Sequence, residues 1–132
     1  FKNCRTLKKT INAKWQQFWD EQVLNKLHLI KPHVGHKVPA IQRRLQEVLR
    51  HRLRIGHTYL SHGHLVRGEE PPWCTNCNEQ LSILHILITC PQHEPHRQRY
   101  FTECYKHCTP LHPALLLGDE PVISFDNVEN FF

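Results

Sequence analysis

The chain has 132 residues, 39% of them hydrophobic and 22% charged, which describes one small folded domain with a modest core rather than a disordered segment. It contains no apolar run near the ~18 residues of a membrane helix and no basic-then-apolar leader, so we expect neither a membrane span nor a signal peptide. The formal net charge is +5, and because the first residue is Phe we expect a piece of a longer protein.

The positive charge is concentrated in the first half of the chain. Residues 1–67 carry 14 Lys or Arg against 3 Asp or Glu, whereas residues 68–132 carry 3 against 9. A positive field of this kind attracts polyanions, and phosphate backbones are the commonest polyanions in cells. The first half is therefore the predicted partner-facing half, and a solvated surface that only keeps the protein soluble is the simpler alternative.

A long amphipathic helix is predicted from about residue 5 to residue 30, because apolar residues recur there at steps of three and four. These residues are Leu7, Ile11, Trp15, Phe18, Trp19, Val23 and Leu27. The aromatic members could stack on bases, but aromatic side chains on the apolar stripe of a helix more often lie in a core. We therefore predict that this stripe is buried.

A second helix is predicted over about residues 40–55, with Pro39 in its first turn. Its predicted apolar stripe comprises Ile41, Leu45, Val48, Leu49 and Leu53. Its arginines are Arg43, Arg44, Arg50, Arg52 and Arg54, against Glu47 as the one acid among them. The planar guanidinium suits bidentate phosphate contact. These arginines are predicted nucleic-acid contacts, although we expect some of them to pair with the acidic half of the chain.

Three histidines, His57, His62 and His64, follow the arginine-rich helix. They could form a second metal site, but no cysteine or carboxylate accompanies them at a fixed spacing. Hydrogen bonds to carbonyl or phosphate oxygens are more typical of such residues. We add the three histidines to the predicted nucleic-acid contacts.

Residues 71–91 hold three of the six cysteines. Cys74 and Cys77 lie two residues apart on a predicted tight turn, and a short helix that begins after the N-cap Ser82 carries His85 and Cys90. Three thiolates and one imidazole are typical of a closed structural zinc site.

The fourth ligand stays open on spacing alone, because His93 follows Cys90 closely enough to replace His85. Three disulfides in a secreted protein are an alternative use of six cysteines. The zinc-type spacing, the basic half and the lack of a leader favour a reducing intracellular compartment, the nucleus or the cytoplasm.

A further helix is predicted over residues 96–108. A second metal cluster there would comprise Cys104, His107, Cys108 and His112. The two cysteines lie at helical spacing, and buried free cysteines behave as small apolar residues, so we predict that they are core residues. Asp126 is a possible cap for a final helix that docks on the core.

Together these elements predict a mainly α protein, a small helical domain with a zinc-stabilised lobe of a turn or hairpin followed by a helix. The predicted parts are a basic helical segment (1–67), a zinc-binding lobe (68–95) and a C-terminal helical segment (96–132) that packs on the rest. We expect one compact unit.

Residues 43–91 contain a series of short motifs in a defined order. They are Arg52-x-Arg54-Ile55-Gly56-His57-Thr58, Leu60-Ser61-His62-Gly63-His64-Leu65, Cys74 with Cys77, His85-Ile86-Leu87, and Cys90-Pro91. In this order and spacing the motifs resemble the C-terminal segment of non-LTR (LINE-type) retrotransposon polyproteins of arthropods. That segment follows the reverse transcriptase and its RNase H domain.

The resemblance implies a CCHC-type domain with one structural Zn²⁺ on Cys74, Cys77, His85 and Cys90, since the family's histidine aligns with His85. The family usually has an acidic residue just before this histidine. Here that residue is Leu84, which leaves the group that would orient the imidazole unidentified. The gap between the second cysteine and the histidine is longer than in retroviral nucleocapsid knuckles, so knuckle-style base insertion is not expected.

The resemblance also implies a non-catalytic module that holds element RNA or target DNA during reverse transcription by its parent RNA-directed DNA polymerase. No polymerase or nuclease motif is present, so we do not expect this chain to be an enzyme. The alternative function is structural, with the chain packing against the polymerase or RNase H part of the same polyprotein. We expect no membrane partner and no small-molecule substrate.

Overall fold

The computed structural model describes residues 2–37, 40–41 and 43–132, apart from the side chain of residue 2. The helices are α1 (Lys2–Asp20), α2 (Arg44–Ile55), α3 (Tyr59–Arg67), α4 (Glu94–Tyr100), α5 (Thr102–Lys106), α6 (Pro113–Leu117) and α7 (Phe125–Phe131). The strands are β1 (Trp73–Cys74) and β2 (Glu79–Gln80), which pair antiparallel. Short helical turns cover Lys26–Leu29, His85–Thr89 and Pro91–His93. The prediction of a mainly α fold is confirmed, and the predicted role of Pro39 lies outside the described residues.

Helix α1 is shorter than predicted, because it ends at Asp20 rather than near residue 30. The chain then turns, and Asn25 begins a separate 3₁₀ turn by accepting a hydrogen bond from the backbone N–H of Leu27 at 3.0 Å. An asparagine that bonds to the local backbone competes with a continuous helix, which explains the break.

The prediction that the apolar stripe of α1 is buried is wrong for most of its members. Exposed side chains are Leu7, Ile11, Trp15, Phe18 and Val23, whereas Leu27 packs against the core. The contacts that anchor α1 are polar and lie near its C-terminal end. Gln16 donates to the carbonyl of Pro32, and Trp19 donates to that of Lys31, both at 2.7 Å.

Helix α2 is rotated relative to its predicted apolar stripe. Leu53 is fully buried and Leu49 partly so, but Leu45 is 83% exposed and Val48 is also exposed. The inward positions include three polar residues, Gln46, Arg50 and Arg54. Their polar partners within the protein, described below, explain why this face turns inward.

The ends of α2 and α3 follow from local chemistry. Gly56 ends α2 at a φ of 79°, a left-handed conformation that costs glycine little. Thr58 and Ser61 then form a reciprocal capping box that begins α3. The two helices are thereby joined by a short, well-defined corner.

The C-terminal segment differs from its prediction in three respects. The predicted single helix divides at Phe101 into α4 and α5. Cys104 is buried as predicted, but Cys108 is exposed. Ser124, and not Asp126, caps α7, since its hydroxyl accepts from the backbone of Asn127. Asp126 instead accepts a hydrogen bond from Gln46 at 3.0 Å.

One apolar core joins the elements on both sides of the hairpin. Its buried members are Ile30, Leu53, Ile83, Ile86, Leu87, Phe101, Cys104, Leu116, Leu117, Ile123, Val128 and Phe131. The segment from residue 83 to residue 87 lies within this core. The side chain of His85 is therefore carried by backbone that packing holds in place.

Candidate metal centre

Four side chains of residues 74–90 converge on one point. The Sγ atoms of Cys74, Cys77 and Cys90 and a ring nitrogen of His85 all lie within 4.8 Å of one another. Cys90 Sγ lies 3.7 Å from Cys74 Sγ and 3.9 Å from Cys77 Sγ. Bonds of about 2.3 Å to a tetrahedral ion would place sulfur atoms about 3.8 Å apart. The group could hold one metal ion at these separations.

The hairpin and the following turn bring the four side chains together. Between the strands, the backbone N–H of Asn78 donates to Cys74 O at 2.8 Å, and Asn78 adopts a φ of 54°, which asparagine tolerates well. Ser82 Oγ accepts from the N–H of His85 at 3.0 Å, which confirms the predicted cap. The backbone N–H of Cys90 donates to His85 O at 2.8 Å, closing a π-helical turn between the two side chains.

The imidazole of His85 is oriented by side chains that the sequence analysis missed. Its Nδ1 contacts the carboxylate of Glu79 and lies 3.0 Å from Thr89 Oγ1. Its Nε2 is buried and has no hydrogen-bond partner among the described residues. A histidine ligand commonly places a carboxylate behind the nitrogen that does not bind the metal. Nε2 is therefore the nitrogen that is available to an ion.

Of the two residues that orient His85, Thr89 could have been predicted from the sequence and Glu79 could not. Thr89 follows His85 by four residues, so helical spacing already places both on one face. Glu79 becomes a neighbour only through the hairpin, which pairs it with Cys74. The acidic side chain absent at Leu84 is thus supplied from β2.

His93, the alternative fourth ligand, is not part of the group. Its ring lies 6.0 Å from the ring of Phe131 and 6.4 Å from that of His96. Across the described ranges, the group at residues 74–90 is the one set of His, Cys, Asp or Glu side chains arranged to hold an ion. The possible clusters at residues 57–64 and 104–112 do not form such a set.

The thiols of the group differ in acidity. The adjacent imidazole of His85 lowers the pKa of Cys74, whereas burial raises the pKa of Cys77. A metal ion binds cysteine as the thiolate, so a cation must displace the proton of Cys77. Metal binding is accordingly expected to release protons.

Arg97, on α4, has a buried side chain, only 2% exposed, that contacts the backbone of the candidate metal centre. Its guanidinium donates to Ile86 O at 3.0 Å and also to Cys90 O, and its Nε donates to Glu94 at 3.0 Å. The carbonyls of the turn that carries the candidate ligands are thereby satisfied. As one of two arginines in the acidic half, Arg97 gave no signal in the sequence.

The predicted nucleic-acid contacts divide into exposed and buried residues. Exposed members are Arg43, Arg44, Arg52 and His57, and His62 is half-buried with its ring stacked 3.9 Å from that of His57. Arg50, Arg54 and His64 are each only 7% exposed. These three side chains do not lie on the open surface, and their assignment as nucleic-acid contacts stays a prediction.

The buried arginines have internal carboxylate partners. Arg50 donates to Glu47 at 2.9 Å, and Arg54 donates to Asp119 at 3.1 Å. The expectation that some arginines pair with the acidic half is therefore confirmed for Arg54. Lys31 donates to the same Asp119 at 2.6 Å.

Asp119, together with Lys31 and Arg54, forms a group that we call the ion triad. Burial opposes ionisation of the carboxyl, but the hydrogen bonds from Lys31 and Arg54 outweigh it and lower the pKa of Asp119. Gly118 makes its position possible, because a Cβ there would lie 2.2 Å from Ala114 O. The ion triad thus joins residues 31 and 54 to the end of α6.

Comparison of the chain with protein-family models, with curated proteins and with solved structures gives no match. Among the described residues, no helix has both the length and the apolar character needed to cross a membrane. The chain is thus a mainly helical protein in which one Cys and His group could hold a metal ion.

Proposed function

We propose that the chain is a non-catalytic zinc-binding module that binds RNA or DNA. In this proposal it belongs at the C-terminal end of a LINE-type retrotransposon polyprotein. The observation that carries the proposal is a set of exposed, unpaired cations in residues 2–67.

Several Lys and Arg side chains in this segment are exposed and form no ion pair with a carboxylate of the described residues. They are Arg5, Lys8, Lys9, Lys14, Lys26, Lys37, Arg43, Arg44 and Arg52. In residues 68–132, by contrast, two of the three cations, Arg97 and Lys106, each pair with a glutamate. An excess of unpaired surface cations raises the local concentration of a polyanion, which supports nucleic acid as the partner.

The donor chemistry supports Zn²⁺ as the ion. Zinc accepts thiolate and imidazole ligands in a tetrahedral arrangement, and four protein ligands leave no position for a reactive water. The ion would therefore have a structural role. It would join the hairpin at Cys74 and Cys77 to the turn at His85 and Cys90, beside the basic helices.

The test is fluorescence anisotropy of the metal-loaded chain with single- and double-stranded RNA and DNA over a range of salt concentrations. Log affinity should fall linearly with log salt, with a slope of about −0.7 to −0.9 for each phosphate neutralised. Replacing Arg43, Arg44 and Arg52 by Gln should make that slope less steep by about 2. Replacing Arg99 and Lys106, two exposed cations of residues 68–132, by Gln is the control and should leave the slope unchanged. A folded, metal-loaded chain without salt-sensitive binding would contradict the proposal.

A second candidate function is docking against another part of the same polyprotein, and the exposed stripe of α1 favours it. Leu7 and Phe18 are 62% and 66% exposed, and Trp15 is 61% exposed. Lys8 and Lys14 lie among them, so a protein partner would need an apolar face bordered by carboxylates. Replacing Trp15 and Phe18 by Ser should then weaken polyprotein assembly and leave nucleic-acid affinity unchanged.

A further inference from the structure

A cavity lies between the basic helices and the segment that leads to His85. Its walls come from the end of α2, the start of α3 and residues 80–84, and its volume is about 160 Å³. A water molecule takes about 30 Å³ in the liquid, so the cavity is large enough for a small polyatomic group. Polar residues that line it are Lys26, Arg54, Ser61, His62, Gln80 and Ser82. No Asp or Glu is among the described residues that line it.

The charge balance beside this cavity is positive. In the ion triad two cations, Lys31 and Arg54, share the single carboxylate of Asp119. The side chain of Arg54 is 7% exposed, and its Nη1 is buried without a hydrogen-bond partner among the described residues. A buried donor without a partner is costly, and a buried charge is tolerated best when it is balanced. An anion in the cavity beside Arg54 would supply the negative charge that the ion triad lacks.

Two further donors border the same cavity. Lys26 lines the cavity, is exposed and forms no ion pair within the described part of the chain, so its ammonium group is available to a ligand. Ser82 accepts a hydrogen bond from His85 N–H through its oxygen, which leaves its own hydroxyl hydrogen to donate. Arginine, lysine and hydroxyl donors together suit an oxyanion with several acceptor oxygens.

We propose that this cavity binds a phosphate group, with Arg54 and Lys26 as its cationic contacts and Ser82 as a hydroxyl donor. The group is either free, as inorganic phosphate, or part of a nucleic-acid backbone. The second source rests on the proposed nucleic-acid function, and the first does not. Because the cavity walls come from both halves of the chain, the bound phosphate connects the basic helices to the cysteine-bearing segment.

The first experiment is a titration of the metal-loaded chain with inorganic phosphate at constant ionic strength, followed by ¹H–¹⁵N NMR. The amides of Gly56, Ser61 and Ser82 should shift and saturate, whereas matched additions of chloride should not shift them. Lys26→Gln should weaken phosphate binding about tenfold, the effect of losing one charge-assisted hydrogen bond. Lys14→Gln is the charge-matched control and should leave binding unchanged.

Lys26 is the residue of choice because its side chain is exposed, whereas replacing Arg54 would also remove a partner of Asp119. The proposal is overturned if phosphate produces no saturating shifts at the cavity. It is equally overturned if Lys26→Gln and Lys14→Gln bind phosphate as tightly as the unmodified chain.

The second experiment distinguishes the two sources by adding an oligonucleotide to the phosphate-saturated chain. Competition at the cavity amides would identify a backbone phosphate as the ligand. Saturating phosphate shifts without competition would identify free phosphate, and the site would stand even if the chain bound no nucleic acid. Salt-sensitive oligonucleotide binding by a chain whose cavity amides respond to neither phosphate nor oligonucleotide would sink this inference and leave the proposed function intact.

Discussion

Helix α1 and the cysteine lobe, residues 68–95, are stabilised in opposite ways. Helix α1 satisfies its backbone hydrogen bonds over 19 residues while most of its side chains remain exposed. The cysteine lobe has strands of two residues and a π-helical turn of five, yet it buries Cys74, His85 and Cys90. A two-stranded hairpin alone is marginally stable in water.

This difference shows that a segment can form regular secondary structure without burying its side chains, and can bury side chains with little regular secondary structure. A long helix can form by local hydrogen bonding and display its side chains, although isolated helices are only marginally stable. The cysteine lobe has too little regular structure for that, so cross-links between distant side chains must stabilise it. Arg97 supplies such cross-links, and an ion at the candidate metal centre would supply further ones. Perturbations of either should act on the cysteine lobe and leave α1 unchanged.

The largest expected effect is that of removing the metal ligands. Structural zinc contributes on the order of 10 kcal/mol in small zinc-finger peptides, so His85→Ala or Cys90→Ser should abolish zinc binding and unfold the cysteine lobe. Metal content by mass spectrometry and amide shifts by NMR measure the two outcomes. Amides of α1 should keep their positions.

His93→Ala is the matched control for this prediction. It should retain one zinc ion per chain, because His93 lies outside the candidate ligand group. Zinc retained by His85→Ala but lost from His93→Ala would show that the ligand assignment is wrong.

The second-largest effect on stability is expected from replacing Arg97, the buried arginine beside the candidate metal centre. Arg97→Met should lower the free energy of unfolding by about 4 kcal/mol, because Ile86 O and Cys90 O would lose their donor in a buried site. Urea denaturation of the metal-loaded chain measures this change. Arg99→Met, two residues away and exposed, should have little effect. Equal losses in both variants would mean that Arg97 has no special supporting role.

The ion triad should have a smaller but pH-dependent effect. Asp119→Asn should destabilise the chain by about 3 kcal/mol at neutral pH, because two cations would lose their carboxylate. The folded state lowers the pKa of Asp119 from its usual 3.8, so its contribution is complete above that pH and is lost as the pH falls below it.

The pH dependence provides a direct check of the ion triad. The stability difference between the original chain and Asp119→Asn should stay constant from pH 8 to about pH 5, one unit above the usual carboxyl pKa. Urea denaturation at each pH measures the difference, and the metal centre is common to both proteins. A difference that already shrinks between pH 7 and pH 5 would indicate a raised pKa and would contradict the ion triad.

The smallest effect on stability is expected in α1. Trp15→Ser and Phe18→Ser should each change the free energy of unfolding by less than about 0.5 kcal/mol, the usual range for surface substitutions. Thermal denaturation followed by circular dichroism measures this change. Leu53→Ser, at a fully buried position of α2, is the contrasting control and should be strongly destabilising. A large loss in the α1 variants would show that the stripe is packed after all.

The metal centre shows how much of a site a sequence can reveal. Cys74, Cys77 and Cys90 were predicted as ligands from spacing, because cysteines at short intervals with a histidine among them are typical of structural zinc sites. The choice between His85 and His93 was not determined by spacing. The structure brings His85 into the group, and the reason is the π-helical turn, which lies within the core.

The sequence could not show which arginines of the second helix are exposed and which are buried. Arg43, Arg44, Arg50 and Arg54 are the same residue type in one short stretch of sequence. Arg50 and Arg54 nevertheless lie on the inward face of α2, whereas Arg43 and Arg44 are exposed. That orientation depends on partners such as Asp119, which is 65 residues away from Arg54. Local periodicity contains no information about such distant partners.

The sequence by itself determined the mainly helical character, the charge difference between the two halves and the cysteine-rich candidate ligand group. These properties depend on composition and on spacings of a few residues, which local geometry governs. Only the tertiary structure decided that the α1 stripe stays exposed, that Glu79 orients His85, and that Arg54 faces a cavity. Those outcomes depend on which surfaces meet, and burial and pairing energies between distant residues determine that choice.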